Sequence, residues 1–528
     1  MERRQIANII FFIRAVEPRE PELDLAGTVR RQLELVRQYR FPATFLLQYD
    51  ALIRPDYIDM LKENLPDGCE VGGWFEIVQP LVEKAGLIWR GREGFSWDWH
   101  ADVGFSVGYS PQERRMLADI YMDEFCNRFG DYPRSVGSWV IDAGTLAYMA
   151  EKYGVTASCN CRDQWGTDGY TLWGGYYGQG YYPSRRNMLC PAQTAENQIP
   201  VPIFRMLGSD PIYQYDLGLL DGDEMKPSED QSVVTLEPIY TGCGGGGDPV
   251  WVDWYFKENF RPGLTFGYAQ IGQENSFGWQ KMENGLRYQF DALRKLQRTG
   301  GVCVETLGET GKWFRRTFPL TPASSISGLS DWQGKGRKSL WYDSRFYRAN
   351  FYEDAGRFWI RDIHKFDEQY AERYLEQICR THSMTYDNLP VIDGNRWSAG
   401  KIRAGLYPLV QEDNGQLVPL TGELSVHYPD DENAEICFGN DERRLRISCS
   451  PTCLRFSLEA PVGMRLVLEM RDGAGALNQS SIGRERLFYQ HNGYAYDVRV
   501  SGAMRMDSFE NGVRMTAEDA GISMLLHG

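Results

Sequence analysis

Strand-like and helix-like stretches alternate through roughly the first 310 residues, and this alternation limits the fold more than any other feature. The run 8–16 is apolar except for Asn8 and Arg14, as suits a strand buried on both faces. It is followed by a stretch from Asp24 to Tyr39 with Leu25, Val29, Leu33 and Val36 on one helical face. A strand at 42–50, a helix at 55–64 and a strand at 69–78 continue the pattern. Ser110, Pro111 and Glu113 form a capping box with proline at the first helical position, opening a helix to about Phe129. Further strands fall at 135–143, 155–161, 201–207, 264–271 and 302–307. Between them lie a helix at 145–153 stopped by Gly154 and a long one carrying Met282, Leu286, Phe290, Leu293 and Leu296.

Seven or eight strand–helix units imply parallel strands with crossover helices. The expected fold is therefore an α/β chain with a (β/α)7-8 barrel of TIM-like type over residues 1–320. Residues 321–340 read as a linker, and 341–528 as a β-rich, sandwich-like domain of short strands and turns. A chain of 528 residues needs more than one core, which agrees with this division.

Composition removes several functions. A net charge of −15 is unsuited to phosphate backbones, so no nucleic acid is expected. No run approaches the roughly 20 apolar residues of a membrane span, and the apolar run 9–13 is too short for a signal-peptide core. The 11 cysteines fit no disulfide framework, and the expected compartment is cytoplasmic. A homo-oligomer stays open. The six histidines are His100, His364, His382, His427, His491 and His527, and the barrel half holds His100 alone of these. Zinc chemistry draws on several nitrogen or sulfur ligands, so neither a metal nor another cofactor is expected. The glycine-rich run 241–249 lacks the Lys-Ser/Thr of a phosphate-binding loop.

Aromatic residues are in surplus, with 15 Trp, 30 Tyr and 25 Phe, and they cluster at 97–99 and 165–182. Aromatic faces pack on the C–H faces of sugar rings, so Trp99, Trp165 and Tyr177 are candidate substrate contacts. The expected partner is a carbohydrate. In a barrel, chemistry sits at the C-terminal ends of the strands. Those ends carry Glu17, Asp50, Glu76, Asp142, Asp163, Asp210, Glu274 and Glu305. Two carboxyl groups suffice for glycoside hydrolysis, one protonating the leaving oxygen and one acting as nucleophile or base. Asp142 and Glu274 suit those roles by position, with Glu17 and Glu76 in reserve. Capping a helix is the competing role for Asp142. Gln273 belongs to a polar shell beside Glu274.

Gly137-Ser138-Trp139-Val140-Ile141-Asp142, Gln273-Glu274-Asn275-Ser276-Phe277-Gly278-Trp279 and Glu70-Val71-Gly72-Gly73-Trp74-Phe75-Glu76 resemble segments of glycoside hydrolase family 57. More broadly the barrel half resembles the glycoside hydrolase/deacetylase superfamily of seven-stranded β/α barrels. The resemblance implies a retaining glycosidase with Asp142 as nucleophile and Glu274 as acid/base. It also implies substrate contacts from Arg14, Trp74, Trp139 and Trp279. Arg162-Asp163-Gln164-Trp165 resembles the acidic-Trp motif of the polysaccharide deacetylases, which brings in Asp163. Arg14-Ala15-Val16-Glu17-Pro18 has no histidine where the family has one, and Gly73 to Gln79 has neither histidine of the deacetylase metal site. Metal-dependent carbohydrate deacetylation and sugar binding without catalysis are the alternatives to a glycosidase.

Overall fold

The computed structural model describes residues 3–527 except 161–174, 207, 218, 222–223, 226–234, 243, 480 and 520. Strand β1, Gln5–Ile13, is buried along nearly its whole length because parallel partners flank it. The parallel strands that follow are β2 (Thr44–Leu47), β3 (Glu70–Trp74), β4 (Ser135–Gly137) and β5 (Ala157–Asn160). A short strand β6 (Gly180–Tyr181) precedes β7 (Ile203–Arg205), and β8 (Leu220–Asp221) and β9 (Glu224–Met225) form a separate hairpin. Strands β10 (Gly267–Ile271) and β11 (Cys303–Glu305) return to β1. The ladder runs β10-β1-β2-β3-β4-β5-β7-β6, with β11 beside β1 over Ile6–Asn8.

This sheet is barrel-like but nearly closed rather than sealed. Among the described residues β7 does not pair with β10. Strand β6 lies antiparallel on the outer edge of β7, matching Gly180 to Phe204 and Tyr181 to Ile203. It takes the edge that closure would need, so regular TIM-type closure does not form.

Ten helices surround or cap the sheet among the described residues. The packing helices are α1 (Leu25–Tyr39), α2 (Tyr49–Leu52), α3 (Pro55–Asn64), α4 (Gln79–Lys84), α5 (Ala101–Gly104), α6 (Pro111–Phe129), α7 (Ala143–Tyr153), α8 (Pro249–Asn259) and α9 (Trp279–Arg298). The capping box of Ser110 and Glu113 forms, and Gly154 ends α7 at φ +71°. Helix α10 (Leu307–Thr317) behaves differently, since it lies across the N-terminal strand ends. Its first free N–H groups are met by the barrel base, Leu307 donating to Thr44 Oγ1 at 2.9 Å and Gly308 to Glu70 Oε2 at 2.9 Å. Asn8 Nδ2 donates to Thr310 Oγ1 at 2.7 Å, and Gly311 faces Ala157 at the start of β5. The base of the barrel is stoppered.

Residues 321–340 are not simply a linker. Ser324–Gly328 is already a strand, paired antiparallel with Arg337–Asp343, and heads a ten-stranded sheet. An eight-stranded sheet, including Ala434–Gly439, Arg444–Ser450 and Cys453–Glu459, packs on it. Leu340, Phe351, Ile360 and Met515 meet Ile436, Ile447, Phe456 and Met524 in one core, as in a sandwich. Tyr352, Trp359, Phe366 and Tyr374 instead join the barrel core.

Replacing Gly311 by Val should unseat α10, because a Cβ there meets Ala157 Cβ at 2.5 Å. A loss of about 1–3 kcal/mol, read as a lower urea midpoint at unchanged slope, is the expected result.

Candidate functional site

The C-terminal ends of β1, β2, β3 and β10 deliver a buried charged cluster. Arg14, just past β1, lies with Nη2 3.1 Å from Glu76 Oε2 and Nη1 2.8 Å from Glu274 Oε2. Glu76 Oε2 also accepts from Gln48 Nε2 at 2.7 Å and Trp97 Nε1 at 3.0 Å. The Trp97 ring covers the guanidinium, its centroid 3.8 Å from Arg14 Cζ. All four polar side chains of the cluster are buried: Arg14, Gln48, Glu76 and Glu274.

Local sequence explains why these groups meet. Gly272 has φ +111°, and a Cβ there would sit 2.0 Å from the Ile10 carbonyl oxygen, so the chain leaving β10 can turn over β1 only with glycine. Asn275 then exchanges two hydrogen bonds with the Arg14 backbone, at 2.9 and 2.8 Å. Asp50 binds the same turn, accepting from the N–H groups of Ala15 and Val16 at 2.9 Å each. Burial pushes Asp50 up to about 6 against those bonds. Burial also pushes Glu76 up to about 7, with Arg14 opposing and Glu274 reinforcing the shift. Glu17 is buried as well, but its bonds to Arg19 outweigh burial and hold its carboxyl below the usual range.

Asp142 takes the capping role. It accepts from Thr145 N at 2.9 Å and Thr145 Oγ1 and Ser106 Oγ at 2.6 Å each, and lies 3.2 Å from Arg114 Nη1. These partners differ from those of Glu274 and Glu76. Beside it stands Glu372, which sequence reasoning missed. This residue arrives from beyond residue 341 and accepts from Ala143 N at 2.8 Å and Met188 N at 2.9 Å. Burial and the neighbouring Asp142 push it up to about 8. No periodicity or motif around Glu372 announces a reach of this length.

The remaining candidates divide. Trp74 and Trp139 lie inside the barrel, Trp74 stacked on Phe12 at 4.4 Å and the two indoles edge to face at 6.0 Å. Gln273 donates to Glu237 Oε1 at 3.0 Å, a second buried carboxylate missed in sequence for lack of a strand before it. Trp99 is held between Arg92 and Arg19 at 4.0 and 4.9 Å. Trp279 opens α9 on a groove of about 620 Å³ shared with α1. Tyr177 does not wall an open cleft; it is buried, stacked at 3.8 Å on Trp341 with Arg205 on its other side at 4.1 Å. Asp163 and Trp165 lie outside the described residues. Two strand-end acids are structural: Asp210 accepts from the indoles of Trp251 and Trp332, and Glu305 pairs with Arg4 near the start of β1.

The metal of the polysaccharide deacetylases that the sequence resembles does not fit this donor set. Glu76 stands on the third-strand segment without a histidine, and the Arg14 guanidinium fills the position between it and Glu274. His100 lies against His382, ring centres 3.9 Å apart and tilted, and pairs with Asp98 at 3.2 Å instead. Among the described residues no group of three or more His, Cys, Asp or Glu side chains is arranged to hold an ion.

No protein-family model matches the sequence, and no curated protein matches it. A solved structure from Parabacteroides distasonis, named as a glycoside hydrolase/deacetylase, is similar at a TM-score of 0.50 and 18% identity, over 74% of this chain and 89% of its own. The likeness is one of fold. A protein from Mycobacterium smegmatis named as a polysaccharide deacetylase gives 0.33 at 11% identity, over 60% and 92% of the two chains. A family 4 carbohydrate esterase from Streptomyces lividans gives 0.27 at 9%, over 58% and 95%.

The raised carboxyl of Glu76 has a thermodynamic signature. A folded pKa of about 7 against an ordinary 4.5 means the folded state binds the extra proton. The stability this contributes is present below about 4.5 and lost as pH rises through about 7. Chemical denaturation at pH 5 and pH 8 should therefore show a smaller loss on raising pH in Glu76→Gln than in the parent.

Proposed function

We propose that this protein is a glycoside hydrolase, cutting an oligosaccharide or glycoconjugate with Glu76 and Glu274 as its carboxyl pair. One observation carries the reading: two buried carboxyl groups from opposite flanks of β1 meet on a single guanidinium at the C-terminal rim. Arg14 holds one oxygen of each, 3.1 Å from Glu76 and 2.8 Å from Glu274.

The environments assign the roles. Glu76, with its carboxyl near 7, keeps a proton at neutral pH and serves as general acid. Its Oε2 is committed to Arg14, Gln48 and Trp97, and the carboxyl also bonds the Trp74 indole. That proton passes to the glycosidic oxygen as the bond to the leaving group breaks. Glu274, 2.8 Å from Arg14, supplies the negative charge, attacking the anomeric carbon in the retaining course that the family resemblance implies. Asp142 supports the rim by capping α7, without touching substrate. Deacetylation of a carbohydrate through a metal would need histidine donors that this rim lacks.

Aryl glycosides, assayed with and without chelator, test the reading. Chelator-insensitive turnover is expected, with Glu274→Gln and Glu76→Gln each reducing kcat by about 10²–10⁴-fold. The Glu76 variant should suffer most on poor leaving groups, since activated aryl groups need little protonation. Chelator-sensitive acetate release from acetylated sugars would replace this reading by the deacetylase, and sugar binding without turnover would replace it by a binding protein.

Asp142→Ala should lower stability by about 1–2 kcal/mol through loss of the cap. The kcat of the folded fraction should stay within about threefold of the parent. A loss comparable with that of Glu274→Gln would return Asp142 to the catalytic pair.

A further inference from the structure

An open groove lies outside the charged cluster, between the loop before α1, the first turns of α1 and the start of α9. Its volume of about 620 Å³ is that of a ligand-binding cleft. Helices α1 and α9 follow strands β1 and β10, so both begin at the C-terminal rim, and the groove opens at the end of the barrel that carries Glu274.

Local sequence builds an apolar floor there. Gly278 has φ +76°, and a Cβ on it would sit 2.8 Å from Leu23 Cδ1, so Leu23 closes on this turn only against glycine. The Trp279 N–H donates to Thr28 Oγ1 at 3.2 Å, which ties the start of α9 to α1. Leu23, Phe277 and Trp279 line the groove, and each keeps part of its surface exposed.

The walls indicate what that floor receives. Lys281 bridges to Glu20 and Arg31 to Glu34, each at 2.9 Å, so those four charges are engaged. Glu22, Arg30 and Gln280 are exposed along the same groove, and among the described residues their side chains have no hydrogen-bond or ion-pair partner. They offer an acceptor, a donor fork and an amide that does both. Four acids face three cations around the groove, a near balance that favours neither a polyanion nor a polycation. Aromatic faces below and mixed donors and acceptors beside them match a ring with an apolar C–H face and a hydroxyl edge.

We propose that this groove binds an uncharged carbohydrate chain, its rings lying on Phe277 and Trp279 and its hydroxyl groups reaching Glu22, Arg30 and Gln280. The proposal rests on the reading of the protein as acting on a carbohydrate, and it makes the substrate an oligosaccharide extending beyond the cleaved bond.

Isothermal calorimetry of the full chain tests it, with maltose, cellobiose, chitobiose and xylobiose, their longer homologues, and polygalacturonate as the charged control. At least one neutral series should bind, and more tightly in the longer members than in the disaccharide. Trp279→Ala should weaken the best of these chains about two- to tenfold, and Trp279→Phe less. Because Trp279 also packs on the core, Arg30→Ala and Gln280→Ala give a second measure at exposed positions. Each should weaken the same chain about two- to fivefold with the unfolding midpoint of the parent. No binding by any neutral series, tighter binding of polygalacturonate, affinity indifferent to chain length, or affinity indifferent to all these substitutions would overturn the groove. Chain binding without hydrolysis would leave the groove standing and remove the hydrolase, whereas hydrolysis of aryl glycosides without chain binding would remove the groove alone.

Discussion

The rim of this barrel depends on one buried cation. Two carboxyl groups brought together in a dry interior repel, and each carries its own desolvation cost. Arg14 between them turns an unfavourable pair into a bridged cluster. The same residue ties the rim together through its backbone, which bonds Asn275, and through its ring partner Trp97 from the loop before α5. Four strand ends and one loop thus share a single anchor. Breaking one arm of such a buried cluster typically costs about 3–5 kcal/mol, because the partner is left charged and unpaired. Glu76 escapes part of that cost by holding a proton near neutrality.

The β-rich half is part of the same construction. Its aromatic residues Tyr352, Trp359, Phe366 and Tyr374 belong to the barrel core, and Glu372 closes the start of α7 beside Asp142. A buried network of Arg348, Asp362 and His364 binds it further, with Arg348 donating to the Gly175 carbonyl at 2.7 Å and Tyr215 donating to Asp362 at 3.1 Å. Separate cores, one per predicted domain, therefore describe the chain incompletely.

Features fixed by neighbouring residues were legible in the sequence. The apolar run of β1, the Ser110–Glu113 box, the stop at Gly154 and the periodic face of α9 all follow from chemistry within a few positions. Glu76 and Glu274 were recognisable as candidates because parallel strands send their ends to one rim, and Arg14 through the family resemblance. Their joining through Arg14 was not, since nothing local states which side chain spans between strands. Asp142 shows the limit from the other side: a nucleophile at a strand end and an N-cap before a helix have the same local sequence. The strand Ser324–Gly328 was hidden by its serine and glycine content, and β6 by having only two residues, although it decides where the barrel stays open.

The position of β1 in the ladder has a consequence for how the chain is made. It is made well before its partners, since β10 begins at Gly267, β11 at Cys303, and the Thr310 hydroxyl that binds Asn8 comes later still. At ordinary elongation rates, tens of seconds separate the strand from those neighbours. During that interval the edge of this apolar segment that takes β10 has no partner, and the other edge has only β2, over Ile10–Ile13. Nascent chains of intermediate length are thus where sequestration by a chaperone matters most, and a pause in translation before residue 260 prolongs the exposure rather than relieving it.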